Sequence, residues 1–260
     1  MLCEGPVRAS CGPKHSIPLV YLRNTMSAKA QLHDLLTVLG KRSAYFSYAA
    51  IRSAVQEAGL DLREKSLKSY LSEAVGKGIV HDAGRGWYSR LGVPLVLDTK
   101  PLRTVVRTIE KFFPLLDFTV WSTGQVNPWM HHLIGKSVTF VNAPIDALEA
   151  VGDLLKDKGY DVWVDPTGKD KRRFSVGDRT VVLRPLVSRA PANGHWAPVE
   201  ALVVDLYMEV KALDLMDRTE FNGMVGALLG SGLMAMGTLV NYIKRRKLKV
   251  ADMLHRHVIG

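Results

Sequence analysis

AKAQLHDLLTVLGKRSAYFSYAAIRSAVQEAGLDLREKSLKSYLSEAVGKGIVHDAGRGWYSR, residues 28–90, is the stretch whose reading decides the N-terminal fold. Leu32, Leu35, Leu36 and Leu39 recur at helical spacing before Gly40, which gives one apolar face and a glycine stop. Tyr48, Ile51, Ala54 and Val55 repeat the pattern behind Ser47, whose hydroxyl suits an N-cap because it accepts from an orphan backbone N–H. A turn follows at Gly59. From Arg63 to Lys77, Leu67, Tyr70, Leu71, Ala74 and Val75 share one side and Lys65, Ser66, Lys68, Ser69 and Ser72 the other, an anchored helix with donors outward. Ile79 and Val80 begin an extended run, Gly84-Arg85-Gly86 supplies a turn, and Trp87-Tyr88 returns, which is a hairpin with a basic tip.

That order predicts a winged helix-turn-helix over residues 26–95. In such an architecture the third helix enters the major groove of duplex DNA and the wing approaches phosphate or the minor groove. The expected DNA contacts are Arg63, Lys65, Ser66, Lys68, Ser69, Ser72 and, at the wing, Arg85. Residues of this kind also occur on ordinary solvated faces, because charge by itself identifies no base.

Composition is compatible with that reading. The 260 residues suffice for two modest cores, 47% are hydrophobic and 23% charged, and the formal net charge is +10. Residues 1–100 carry 14 basic against 8 acidic side chains, the remainder 21 against 17, so more than half of the excess falls in the shorter part. Cys3 and Cys11, the two cysteines, lie in a Pro/Gly-containing leader and cannot build a metal cluster alone, which makes a reduced cytoplasmic chain the default. Residues 1–25 have no continuous apolar core of a signal peptide and read as a disordered arm, with Met26 as an alternative start. Gly223 to Val240 carries no charge and precedes a basic run, but Gly230-Ser231-Gly232 divides it, so two packed helices are expected rather than a membrane span.

After Pro94 the pattern changes. Helices are expected at Leu102–Phe113, Asn127–Ile134 and Ile145–Lys156, and strands at Phe118–Trp121, Val138–Val141, Tyr160–Val164 and Thr180–Leu183. A polar loop spans Asp165–Gly177, and three helices follow at Val199–Leu213, Arg218–Leu229 and Leu233–Lys247. No internal repeat is found. The fold class is therefore α/β (α+β): a winged helix-turn-helix, then over residues 96–260 a mixed-sheet domain with a helical C-terminal end.

Three segments of the second part carry a resemblance. Val120-Trp121-Ser122-Thr123 closes the first strand before Asn127. PVEALVVDLYMEV, Pro198 to Val210, places an acidic residue and a Leu-Val-Asp-like step on one helix. Asn241-Tyr242-Ile243-Lys244-Arg245-Arg246-Lys247 is a polar-aromatic step followed by a basic run. With the N-terminal pattern, these resemble the AbiEi-type antitoxins of type IV toxin–antitoxin systems, although Ala201 follows Glu200 where the pattern has a lysine. The resemblance implies a winged-helix autorepressor of its own operator DNA, with a C-terminal domain that neutralises a nucleotidyltransferase-like toxin in phage defence. No cofactor, metal or membrane partner is expected, and the basic run Lys244, Arg245, Arg246 and Lys247 either complements the dipole at a helix end or, by its match to the family ending, contacts the partner.

Enzymatic readings compete with this one. Asp205, Glu209 and Lys211 contain the acidic-x-Lys half of a metal-dependent nuclease site, and carboxylates at i and i+4 share a helix face. Such a triplet ordinarily sits on a strand, whereas this one reads as helix. His131, His132, His195, His255 and His257 raise a zinc site, but adjacent histidines leave a helix in different directions. Gly168, Lys169, Lys171, Arg172 and Arg173 form a basic loop without a Walker pattern, joining two strands rather than opening a helix. Phosphotransfer to a partner finds no catalytic constellation. Lys169 to Arg173 read either as a mobile solvated hairpin or, through Lys171, Arg172 and Arg173, as an electrostatic contact to nucleic acid or an acidic partner face.

Overall fold

A computed structural model describes residues 26–84, 86–90, 95–253 and 258–259. The first elements follow from local caps. α1 (Ala28–Arg42) starts where Ser27 Oγ accepts from the Ala30 N–H, and β1 (Tyr45–Ser47) leads into α2 (Tyr48–Glu57), where Ser47 Oγ accepts from the Ala50 N–H at 3.0 Å. α3 (Glu64–Gly76) is followed by β2 (His81–Asp82) and β3 (Trp87–Ser89), which pair antiparallel, with Gly84 and Gly86 both at positive φ in the connection. β1 pairs antiparallel with β3 and, on its other side, parallel with β8 (Val258–Ile259), so the sheet runs β2-β3-β1-β8. Leu32, Leu36, Phe46, Ile51, Leu67 and Leu71 fill the core beneath these helices, each 2% exposed or less.

The remainder comprises α4 (Arg103–Phe112), β4 (Thr119–Ser122), β5 (Thr139–Ala143), α5 (Leu148–Asp157), β6 (Asp161–Val164) and β7 (Thr180–Pro185). After these come α6 (Val199–Leu213), α7 (Arg218–Ser231), α8 (Met236–Arg245) and the single turn α9 (Val250–Met253). The second sheet has the order β4-β5-β7-β6; β4 is antiparallel to β5, while β5, β7 and β6 run parallel, so the sheet is mixed. Strand side chains alternate between its faces. Val120, Val141, Val181 and Leu183 pack under α4 and α5, whereas Trp121, Phe140 and Val182 pack against the helices from α6 onward. Burial on both faces explains why β7 reads as a continuous apolar run.

Two helices differ from their sequence expectation: the last, expected at Leu233–Lys247, spans only Met236–Arg245, and an earlier one changes type and place. The segment expected as Asn127–Ile134 is a 3₁₀ helix at Thr123–Trp129, and residues 130–134 lie outside it. Ser122 and Gln125 start it early: Ser122 Oγ accepts from the Gly124 N–H, and the Ser122 N–H donates to Gln125 Oε1 at 2.9 Å. Asn127 then holds the following loop, since its side chain accepts from the Ile134 N–H and donates to the Ile134 carbonyl. The uncharged stretch 223–240 is divided as expected: Gly232 caps α7 in the left-handed conformation at φ 75°, and no helix among the described residues is long and apolar enough to cross a membrane.

The first sheet and the C-terminal helices are packed together. The Gly237 N–H donates to the Ala83 carbonyl at 2.9 Å, and the backbone of Gly84, itself at φ 88°, lies so close to Gly237 that position 237 has no room for a Cβ. Buried Tyr45 accepts from the Met234 N–H through its hydroxyl, Ser89 Oγ donates to the Gly232 carbonyl at 2.8 Å, and the Leu95 N–H donates to Leu233. Glu200 accepts from the Ala235 N–H on the opposite side. The α7–α8 connection is thereby clamped between α6 and strands β1 and β3.

Candidate functional site

The exposed side of α3 presents Arg63, Glu64, Lys65, Lys68, Ser69 and Ser72, with Ser66 half-buried. Leu67, Leu71 and Ala74 anchor the opposite side, which fixes the helix and leaves its polar face outward. That face is less positive than the count of its cations suggests. Lys68 pairs with Glu64 one turn earlier at 2.6 Å and lies 5.8 Å from the Tyr48 ring centre, so its charge is partly neutralised in place. Lys77 pairs with Glu73 at 2.8 Å, and Lys29 shares the same carboxylate, which these two ammonium groups hold down at about 2. Arg63 and Lys65 have no ion pair among the described residues. Arg85 lies outside the described residues. The backbone on the N-terminal side of the hairpin turn, Ala83 and Gly84, is held against α8.

The second notable site is buried. α6 is covered nearly all round, and it carries Glu200, Asp205 and Glu209, each at most 6% exposed. A buried carboxylate must be paired. Glu209 receives both arms of Arg184 from β7, Nε to Oε1 at 2.7 Å and Nη2 to Oε2 at 2.5 Å. Arg184 also donates through Nη1 to Asp165 at 3.0 Å and to the Pro166 carbonyl, and so fastens the start of the 165–177 loop. Asp205 accepts from the Tyr242 hydroxyl at 2.9 Å and from Arg246 Nη2 at 2.7 Å, both at the end of α8. Burial pushes the Asp205 carboxyl up to about 6, against the downward pull of Arg246 and Tyr242. Burial also raises Glu209 and Glu200, with Arg184 and the Ala235 N–H pulling back.

This arrangement explains the acidic helix and basic ending as partners. Lys244, Arg245, Arg246 and Lys247, contiguous in sequence, divide in the fold: Arg246 turns inward to Asp205 and Arg245 donates to the Arg189 carbonyl. Lys244 and Lys247 stay exposed. The 165–177 loop is likewise more ordered than a solvated hairpin. Asp170 accepts from the Thr167 N–H and pairs with Arg173 at 2.6 Å, and Lys171 pairs with Asp214 at 3.1 Å, which leaves Lys169 and Arg172 without an ion pair among the described residues.

The nuclease set is not brought together. Asp205 and Glu209 share a face, but each is neutralised by an arginine, and Lys211 is exposed beside a cleft of 370 Å³ lined also by Lys171, Asp214 and Arg218. Metal-assisted cleavage needs carboxylates open to a cation and to substrate. The histidines are also dispersed. His195 stacks on Phe118 with ring centres 4.0 Å apart, its Nδ1 2.9 Å from the Phe118 carbonyl and Nε2 3.3 Å from Glu110. His131 and His132 are exposed, and His255 and His257 lie outside the described residues. Among the described residues no group of three or more His, Cys, Asp or Glu is placed to hold a metal ion.

Fold and network together define an α/β protein with helices on both faces of a mixed four-stranded sheet and an ionic lock between its central helix and its C-terminal helix. The chain belongs to a family of unknown function, DUF6577, whose model matches residues 66–258, from α3 to β8. A comparison with curated proteins gave no match.

Proposed function

We propose that this protein is a DNA-binding autorepressor and the antitoxin of a type IV toxin–antitoxin system, acting in the cytoplasm on its own operator and on a nucleotidyltransferase-like toxin. The observation that carries the DNA half is α3. It follows α2 after a short turn, precedes the β2–β3 hairpin, buries Leu67, Leu71 and Ala74, and turns Arg63, Lys65, Ser69 and Ser72 to solvent. We read helix, strand, two helices and a hairpin on one sheet as a winged helix-turn-helix, with α3 the element for the major groove. The packing of the hairpin backbone onto α8 gives the wing a fixed position instead of a free arm. The toxin half rests on the resemblance of the α6 and α8 segments to AbiEi-type antitoxins, and the exposed Lys244, Lys247 and Arg172 are the cations left for an acidic partner face.

Binding of the full chain to duplex DNA from its own promoter tests the first half. The expected log K falls linearly with log salt at about −0.9 per phosphate neutralised, and Lys65→Ala lowers affinity and flattens the slope by about one unit. No binding at low salt would overturn the repressor reading. Co-expression with the protein encoded beside it tests the second: growth rescue with a stable complex is expected, and a neighbour without toxicity would contradict it.

A further inference from the structure

α4 and α5 lie side by side on one face of the second sheet, their apolar sides joined over Val120, Val141, Val181 and Leu183. Their outer sides are matched in spacing and opposite in sign. Lys100, Arg103, Arg107 and Lys111 stand at i, i+3, i+7 and i+11 along α4 and the 3₁₀ turn before it, all exposed. Asp146, Glu149, Asp153 and Asp157 repeat that spacing along α5 and its own preceding 3₁₀ turn, also exposed. At 100° per residue each row follows the crest opposite the buried side.

Among the described residues both rows are left largely without ion-pair partners. None of the four cations forms an ion pair with a described residue, and on α5 only Asp153 does, with Lys156 of the same helix. Glu110, the one acid on α4, is turned aside to His195. Exposed apolar side chains flank the rows: Phe112 is 51% exposed, Leu115 98% and Ile145 75%.

We propose that this face binds a second copy of the same chain, with α4 of each copy lying on α5 of the other. An isologous interface needs a surface that complements itself, and a basic row beside an acidic row of equal spacing is such a surface. The two-fold axis must run between the helices and along them. An axis across them would set each row on its like and repel. An acidic protein or a nucleic acid would meet the α4 row but would be repelled by the α5 row next to it, which is why a second copy is the occupant favoured. A face two helices wide and roughly 15 Å long is smaller than a standard interface, so the association is weak and salt-sensitive.

The test is the mass of the full chain in sedimentation equilibrium up to on the order of 100 μM, in low and high salt. The wild type is expected to dimerise at low salt and to dissociate as salt rises. Arg103→Glu with Arg107→Glu, and separately Glu149→Lys with Asp153→Lys, should each weaken self-association by at least ~10-fold. An equimolar mixture of the two variants should dimerise again, because each reversed row then meets its opposite on both sides of the axis. A wild-type monomer throughout the range, a dimer unaffected by both variants, or no recovery in the mixture would overturn the proposal. Loss of DNA binding by the first variant without any change in mass would assign the α4 row to nucleic acid instead.

Discussion

At residue 237 the backbone of α8 meets the backbone of the hairpin turn, and a methyl group cannot fit between them. A Cβ on Gly237 would lie 2.3 Å from the Gly84 carbonyl oxygen and 2.4 Å from its carbon, and both obstacles are main chain rather than a side chain that could swing away. Gly237→Ala is therefore expected to destabilise the chain by about 1–3 kcal/mol, read as a lowered urea midpoint. An unchanged midpoint would mean that the hairpin is not held there. Asp205 gives a residue-scale prediction of another kind. Its carboxyl titrates at about 6 in the fold against 3.8 ordinarily, so between these values the folded chain holds a proton that the unfolded chain has released. Its contribution to stability is full below pH ~4, declines as pH rises through about 6, and is level above, with a span of at most about 3 kcal/mol. Glu200 and Glu209, also raised by burial, act in the same direction. Denaturant midpoints of Asp205→Asn should show a smaller loss between pH 4 and 6 than the wild type, and an equal loss would remove Asp205 from the account. Neither feature was legible in sequence, because Gly84 and Gly237, like Asp205 and Arg246, are brought together only by the packing of α6 and α8.

Among the elements, α3 shows what periodicity reveals and what it hides. Leu67, Leu71 and Ala74 announced the buried side and were found there, since helical spacing alone selects them. The pairing of Lys68 with Glu64 lay in the same lines of sequence as an i, i+4 step, but counting cations passed over it. The consequence is testable. Glu64→Gln removes a negative charge from the proposed DNA face and frees Lys68, so affinity for duplex DNA should rise by about 2- to 5-fold, while the urea midpoint stays nearly unchanged because the pair is exposed. Unchanged or weaker DNA binding would place the contacts elsewhere. The start of the 3₁₀ helix at Thr123 is a second instance: Ser122 and Gln125 form a capping box that starts it ahead of the expected Asn127. The rows on α4 and α5 also stood in the sequence as spacings, but their meaning needed the sheet that sets the two helices side by side.

On the scale of the molecule, a first sheet closed by β8 from the far end of the chain and a second sheet covered on both faces are joined through the α7–α8 connection. The order of helices and strands after residue 96 was readable because each strand sits in a run of β-branched residues and each helix has its own apolar stripe. The joining of the two parts was not, since Tyr45 and Met234 are far apart in sequence and neither announces its partner. In this arrangement the β2–β3 hairpin beside α3 is held in place by α8. Everything in that picture depends on α3 meeting DNA. The most direct measurement is the dissociation constant of the full chain for duplex DNA from its own promoter, taken across a salt series for the wild type, Lys65→Ala and Glu64→Gln. The account predicts salt-dependent binding, weakened by the first variant and strengthened by the second. Absence of binding at low salt, or equal affinities for all three proteins, would contradict it.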